Sequence, residues 1–375
     1  MQPYVRLAMS LALAAVLSLH ASAQVDAAEV TVAFAGPLED PDALSAAQAT
    51  QMAFDEINAQ PARGGAQLKL MLQNDKGDPR TAEFVAHYLA KTDALAVIGH
   101  WTSTNSIAVA PIYTEAGLPQ LAPIAWSKRF SALPGDNHFQ GVGNNDIAMN
   151  QALQYLVPRL GVRRILIIDD RSILGAEMAD AFDKYAQQAG LEILRQSVSN
   201  QTSDFNAPLM MARQKHPELI LFTGIGAQTV TMVRSLKRLK LQAALLLTSP
   251  VVNTEFLQKT GLTDEVVYAI APGAPVESAG RMEAFRKRYA ERFRSEASSS
   301  AGFAYDLAYM FAAALRRSGE PDRRQLVRAL REVSHDGVNQ TIAFNPDGTL
   351  KHPIYTLYQA TPQRWLVRRT VKASD

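Results

Sequence analysis

Short β-branched runs closed by turn residues alternate with helical stretches of roughly 10–15 residues along most of this chain, and no other feature restricts its fold so strongly. Glu29–Ala35 (EVTVAFA) is a β-branched apolar run closed by Gly36-Pro37. In Ala43–Ala59, Leu44, Ala47, Gln51, Phe54 and Ile57 recur at helical spacing. Gln67–Leu72 reads as a strand ending in Asn74-Asp75-Lys76-Gly77, and Pro79 suits the first turn of a helix. Ala94–Ile98 reads as strand, Thr102–Ala116 as helix and Leu118–Leu121 as strand. The pattern resumes with strand Arg164–Ile168, helix Gly175–Ala189, strand Leu191–Val198, helix Phe205–Gln214, strand Glu218–Phe222, helix Gln228–Leu239 and strand Ala243–Leu247. Apolar strands separated by helices are the mark of βαβ units and parallel sheets covered on both faces, which makes the chain α/β.

Two such runs occur, at about 29–125 and 160–250, separated by the turn-rich segments Pro134–Asn137 and Gly141–Asn145. Beyond residue 270 the pattern changes. Ala271–Pro275 is a breaker cluster, followed by helices Arg281–Arg294, Ala301–Ser318 and Asp322–Glu332. Two antiparallel-looking strands, Ile342–Phe344 and Ile354–Gln359, flank the turn Asn345–Gly348. The expectation is two Rossmann-like lobes with parallel central sheets, joined by a multi-strand hinge that the chain crosses several times. The N-terminal lobe takes residues 29–144 plus 274–350, and the C-terminal lobe 145–273 plus 351–371.

The first 23 residues read as an address. Met1–Arg6 is positively charged, Leu7–Ala21 is almost wholly apolar but too short to span a bilayer, and Ala21-Ser22-Ala23 offers a cleavage site. Residues 1–23 are therefore expected to be a secretory signal peptide, and no later run is apolar enough to cross a membrane. There is no cysteine, which excludes disulfides, thiolate metal sites, a Cys nucleophile and lipid attachment through Cys. A net charge of +2 gives no footprint for nucleic acid. Gly224-Ile225-Gly226 follows a strand, but Thr229 stands where a dinucleotide fingerprint needs its third glycine. The seven His lack metal-ligand spacing, and no nucleophile elbow or P-loop is present. The sequence gives no reason to expect a cofactor, a metal or catalysis.

Seven segments, in order, resemble one known family. They are Val30–Pro37 (VTVAFAGP), Met52–Asn58 (MAFDEIN), Leu72–Pro79 (LQNDKGDP), Val97–Ser106 (VIGHWTSTNS), Ile165–Asp170 (ILIIDD), Ala301–Leu315 (AGFAYDLAYMFAAAL) and Phe344–Leu350 (FNPDGTL). Taken together they resemble the branched-chain amino acid-binding proteins of ABC importers, which have the type I periplasmic binding fold. The resemblance implies a periplasmic receptor that captures a small carboxylate- or amide-bearing solute, an amino acid or related compound, by closure of two lobes. It also implies delivery to an inner-membrane ABC permease with its ATPase, with no direct membrane anchor and no nucleic-acid partner. A ligand sensor of the same fold, and a binder of aromatic or aliphatic acids, are the alternatives.

Ligands of α/β sheets bind beyond the strand carboxyl ends, so candidate residues are those just after strands. His100–Ser106 leads into a helix whose first N–H groups favour an oxygen anion. The resemblance assigns Ser103 and neighbouring backbone to a carboxylate, with Trp101 and Thr102 beside it and His100 behind the pocket. Ala125, Trp126 and Ser127 follow the next strand. On the second lobe the family often has aromatics where Leu174 and Ile225 or Gly226 stand, and an acid for the ligand ammonium where this chain has Ser249-Pro250-Val251. Those departures put a branched-chain amino acid in doubt. Asp42 and Asp170 are the remaining candidates for a charge partner. Phe303 is expected at the edge of the site, with Tyr305 beside it.

Overall fold

The computed structural model describes residues 28–60, 66–248, 251–275 and 280–373. The expected signal peptide and Ser249 lie outside the described residues. Five strands, β1 (Glu29–Gly36), β2 (Gln67–Asn74), β3 (Ala96–Gly99), β4 (Gln120–Ala122) and β5 (His138–Gln140), form the first sheet. Its order is β2-β1-β3-β4-β5, and every pair is parallel. Helices α1 (Pro41–Asn58), α2 (Pro79–Ala90) and α3 (Ser103–Glu115) are the crossovers, with a short α4 (Lys128–Ser131) after β4. Asp40 caps α1 and Asp78 caps α2, each accepting from first-turn N–H groups ahead of a proline. Both faces of β1 are buried. Val32 and Phe34 join one apolar cluster, while Ala33 and Ala35 join another under α2 and α3.

The second sheet has seven strands in the order β14-β13-β10-β9-β8-β6-β7. Strands β6 (Arg164–Asp169), β7 (Glu192–Ser197), β8 (Leu219–Phe222), β9 (Ala244–Leu247) and β10 (Val267–Pro272) are parallel, while β13 (Ile354–Ala360) and β14 (Trp365–Lys372) extend it antiparallel. Helices α5 (Asn145–Leu160), α6 (Ile173–Gln188), α7 (Asn206–Lys215), α8 (Ala227–Leu239) and α9 (Thr254–Thr260) belong to this lobe. The remaining helices, α10 (Arg281–Phe293), α11 (Ala301–Ser318) and α12 (Arg323–Glu332), return to the first. Met282, Phe285, Phe311, Leu326 and Leu330 share one core with Phe34 and Phe54. No helix among the described residues is long and apolar enough to cross a membrane.

The end of the chain is arranged differently from the sequence expectation. Thr341–Ile342 forms β12, which pairs with β11 (His335–Asp336), and Phe344 meets Leu350 as a single bridge. Ile342–Phe344 therefore does not pair with Ile354–Gln359; the latter lies between β10 and β14 in the other lobe. The turn at Asn345–Gly348 is local, and the strand after it leaves for the second sheet. Strand β14 escaped the sequence reading because it is an edge: Arg368, exposed, and Arg369, half-buried, interrupt the apolar pattern. Helix α5 escaped it because Pro158 and the polar start Asn145-Asp146 obscure the periodicity.

Three passages between the lobes are stitched together. Gly273 N–H donates to the Ile354 carbonyl at 2.7 Å and Ala274 N–H to the Asn339 carbonyl at 3.2 Å. Gln340 donates to the Gly141 carbonyl at 3.3 Å and accepts from Ile354 N–H at 3.0 Å. Asp306, fully buried in α11, accepts from the Val338 and Asn339 N–H groups at 2.7 and 3.0 Å and so fixes the same junction.

Candidate functional site

Helix α3 starts as a ligand site needs to start. Thr102 is the N-cap, and its side chain accepts from Asn105 N–H at 3.2 Å. The N–H groups of Ser103 and Thr104 belong to the first turn, which has no intrahelical acceptors and carries the positive end of the helix dipole. Ser103 Oγ accepts from the N–H groups of Trp126 and Ser127 at 3.1 and 3.4 Å. With its lone pairs engaged, the hydroxyl hydrogen of Ser103 is left to donate. Gln140 holds the carbonyls of Ala125 and Ser127 at 2.5 and 3.2 Å, so the loop after β4 is fixed against the start of α3.

Behind this wall lies a buried relay. His100 Nδ1 is 2.6 Å from Asp75 and its Nε2 is 2.9 Å from the Tyr113 hydroxyl. Burial works against the charge on Asp75, but the bonds from His100, Gly77 and Asn105 outweigh it and lower its pKa. His100 has no exposed surface; it braces the loop. Trp101 is also buried, tilted against Phe34 with ring centroids 6.2 Å apart. Its side chain donates to Asp42. Burial pushes the Asp42 carboxyl up, against hydrogen bonds from Ser298, Ser300 and Trp101, and Asp40 adds to the rise.

The second lobe presents the loops after β6, β8 and β9. Asp170 is buried and its Oδ1 accepts from Ser172 N–H and Oγ at 3.0 and 2.6 Å. Ser172 in turn caps α6 at Gly175 N–H, 2.9 Å away. A Cβ on Gly175 would fall 2.0 Å from Asp170 Oδ1, so any larger residue at this start of α6 forces the Asp170 carboxylate to move. Leu174 packs against an apolar cluster that holds Trp126 from the first lobe and Phe303 from α11. Thr223 and Thr248 are buried with hydroxyls that have no partner among the described residues. They follow adjacent strands, because Phe222 pairs with Leu247.

The two walls meet. Ser127 donates to Glu177 Oε2 in α6 at 2.8 Å, and Asn145 N–H donates to the Trp126 carbonyl at 3.0 Å. The carboxyl ends of both sheets therefore border one cleft. Trp101, Thr102, Ser103, Ala125, Trp126 and Ser127 come from the first lobe, and Trp126 meets Phe303 of α11 and Leu174 of the second lobe in one apolar cluster. Asp42 stands beside Trp101, and Asp170 below the start of α6. Ile225 is 54% exposed and faces solvent. Tyr305 points elsewhere: its hydroxyl joins Glu56 and accepts from Arg288 at 2.9 Å, within the helical layer of the first lobe. Glu177, Thr223 and Thr248 were missed by sequence reasoning. Glu177 carried a legible signal, a charge three residues after Leu174 and four before Ala181 on the buried stripe of α6.

A model of the periplasmic binding protein family matches residues 29–363. An amino acid binding protein of Pseudomonas aeruginosa is 26% identical over 369 residues, covering 94% of each chain. A leucine binding protein from Thermotoga maritima superposes with a TM-score of 0.82 at 19% identity, over 92% of this chain and 99% of that one. A solute binding protein of an ABC transporter from R. palustris, in complex with benzoate, superposes with a TM-score of 0.81 at 15% identity, over 92% and 98%.

Proposed function

The chain belongs to the periplasmic binding protein family, and on that premise we propose that it is the exported receptor of an ABC importer for a carboxylate-bearing solute with an apolar body. Cleavage of residues 1–23 releases it to the periplasm, and an inner-membrane permease with its ATPase receives the ligand. Trp101–Ser103 and Ala125–Ser127 form the carboxylate wall, and Trp126, Leu174 and Phe303 flank the apolar part.

The observation that carries this reading is the pairing of donors and acids at the cleft. The first lobe offers an oxygen anion the Ser103 hydroxyl and the open first turn of α3. The acids nearby are already engaged. Asp42 accepts from Ser298, Ser300 and Trp101, Asp170 from Ser172, and Glu177 from Ser127 and Asn145 with Arg129 alongside. A ligand ammonium buried without an anion is costly. The carboxylate is thus the anchor, and an α-ammonium adds little. The relative named for amino acids and the neighbour holding benzoate both fit a carboxylate-first site.

A thermal-shift panel of L-leucine, L-isoleucine, benzoate and 4-methylpentanoate tests it. At least one carboxylate raises the melting temperature in a concentration-dependent way, and Ser103→Ala suppresses the rise. No response to any of the four sinks the proposal.

A further inference from the structure

Glu177 is a carboxylate almost stripped of solvent, 3% exposed, in the helix of one lobe, with most of its partners in the other. Its Oε2 accepts from Ser127 Oγ at 2.8 Å and from Asn145 Nδ2 at 2.9 Å. Its Oε1 lies 2.9 Å from Arg129 Nε, whose side chain keeps 60% of its surface in water. Ser127 and Arg129 belong to the first lobe, and only Asn145 shares a lobe with Glu177. Ser127 is itself tied into the ligand wall, since Arg129 N–H donates to its Oγ at 3.1 Å and its own N–H reaches Ser103 Oγ at 3.4 Å.

Resting on the receptor reading above, we propose that Glu177 is a positioning residue for capture: it holds the loop Ser127–Arg129 across the cleft and sets how much of the ligand-free protein is closed. The physical case is one of pairing. A buried carboxylate is costly unless a counter-charge and hydrogen bonds offset its desolvation. Here the Arg129 counter-charge and the Ser127 hydrogen bond come from across the cleft, so the full set of partners is available only when the lobes are together. When the lobes part, Glu177 keeps Asn145 and exchanges Ser127 and Arg129 for water. The neighbouring Lys128–Asp146 pair also bridges the lobes, but at 3.7 Å and with a carboxylate that keeps 22% of its side-chain surface exposed, where that of Glu177 keeps 2%, it contributes little. Because apparent affinity scales with the fraction of competent conformer, a residue that biases closure tunes affinity without touching the ligand.

The chain has no cysteine, so two labels can be placed cleanly. Glu83→Cys on α2 and Arg213→Cys on α7 put a fluorophore pair on exposed faces of opposite lobes. Single-molecule transfer efficiency of the ligand-free protein is then compared with that of Glu177→Gln, Arg129→Gln and the double variant. Each single variant raises the open-to-closed ratio by about tenfold, and the double variant adds no more than a further twofold. Arg129→Gln alters an exposed side chain and keeps the test open should Glu177→Gln fold poorly. Unchanged distance distributions in the single variants overturn the proposal, and so does a double variant that is the product of the two. No ligand is needed, so this failure is separate from a failure to bind carboxylates.

Discussion

Replacing Ser103 with alanine separates two jobs that one oxygen performs. Ser103 is 3% exposed, and its Oγ accepts from the N–H groups of Trp126 and Ser127. Losing that acceptor strands two backbone donors in the cleft wall, at about 1–3 kcal/mol for each that water does not reach. The ligand-free variant is accordingly less stable, with a melting temperature several degrees lower. The second job is the donated hydrogen. A hydrogen bond to a charged acceptor is worth about 1.5–3 kcal/mol, which at ~1.4 kcal/mol per decade is roughly tenfold to a hundredfold in affinity. Isothermal calorimetry with the tightest-binding carboxylate of the panel measures that loss, and urea unfolding without ligand measures the stability term. The reasoning is refuted by an affinity within twofold of wild type, whatever happens to stability. In that case Ser103 only braces the loop after β4.

The remaining predictions bear on the frame around the cleft. Tyr305→Phe removes the hydroxyl bonded to Glu56 and Arg288; it lowers stability by about 1 kcal/mol in urea unfolding and leaves ligand affinity unchanged. Among the three tryptophans, Trp126 packs with both lobes whereas Trp365 packs on Phe256 and Tyr358, so Trp126→Phe abolishes a ligand-dependent emission change that Trp365→Phe retains. Gly348 has φ +81°, and a Cβ there would stand 2.1 Å from the His138 carbonyl oxygen. Gly348→Ala therefore costs more than about 1 kcal/mol in thermal unfolding. Burial pushes Asp306 up to about 7 from its ordinary 3.8, against hydrogen bonds from Val338 and Asn339. The folded state then binds this proton more tightly than the unfolded chain, so its contribution to stability falls as pH rises from about 4 to about 7 and is flat above. Asp306→Asn removes that slope from a stability–pH profile; a steeper slope in the variant contradicts the assignment.

Sequence reasoning reached the parallel strands because burial on both faces leaves them continuously apolar, as in Ile165–Ile168 and Leu219–Phe222. It also reached the start of α3, where Thr102, Ser103 and a preceding strand are enough to place an open helix terminus. It did not reach what depends on the lobes meeting. The bond between Ser127 and Glu177 joins residues 50 positions apart, and no local pattern encodes it. Ile225 follows a strand as a site residue should, yet its loop turns the side chain to solvent. Tyr305 sits two residues from Phe303 on one helix, and that rotation of about 200° sends the two rings to opposite sides of α11. The pairing of β13 with β10 and β14, rather than with the preceding β12, follows from the chain crossing the hinge after Leu350, and turn chemistry at Asn345–Gly348 carries no trace of that crossing.

The carboxylate-first site is tested most directly by two ligands that differ only in the ammonium. L-Leucine and 4-methylpentanoate share a carboxylate and an isobutyl body. With Asp42, Asp170 and Glu177 already engaged at the cleft, titration calorimetry gives the des-amino acid an affinity equal to or higher than that of leucine. A leucine affinity a hundredfold above that of 4-methylpentanoate contradicts the account, because it requires an anion facing the ammonium.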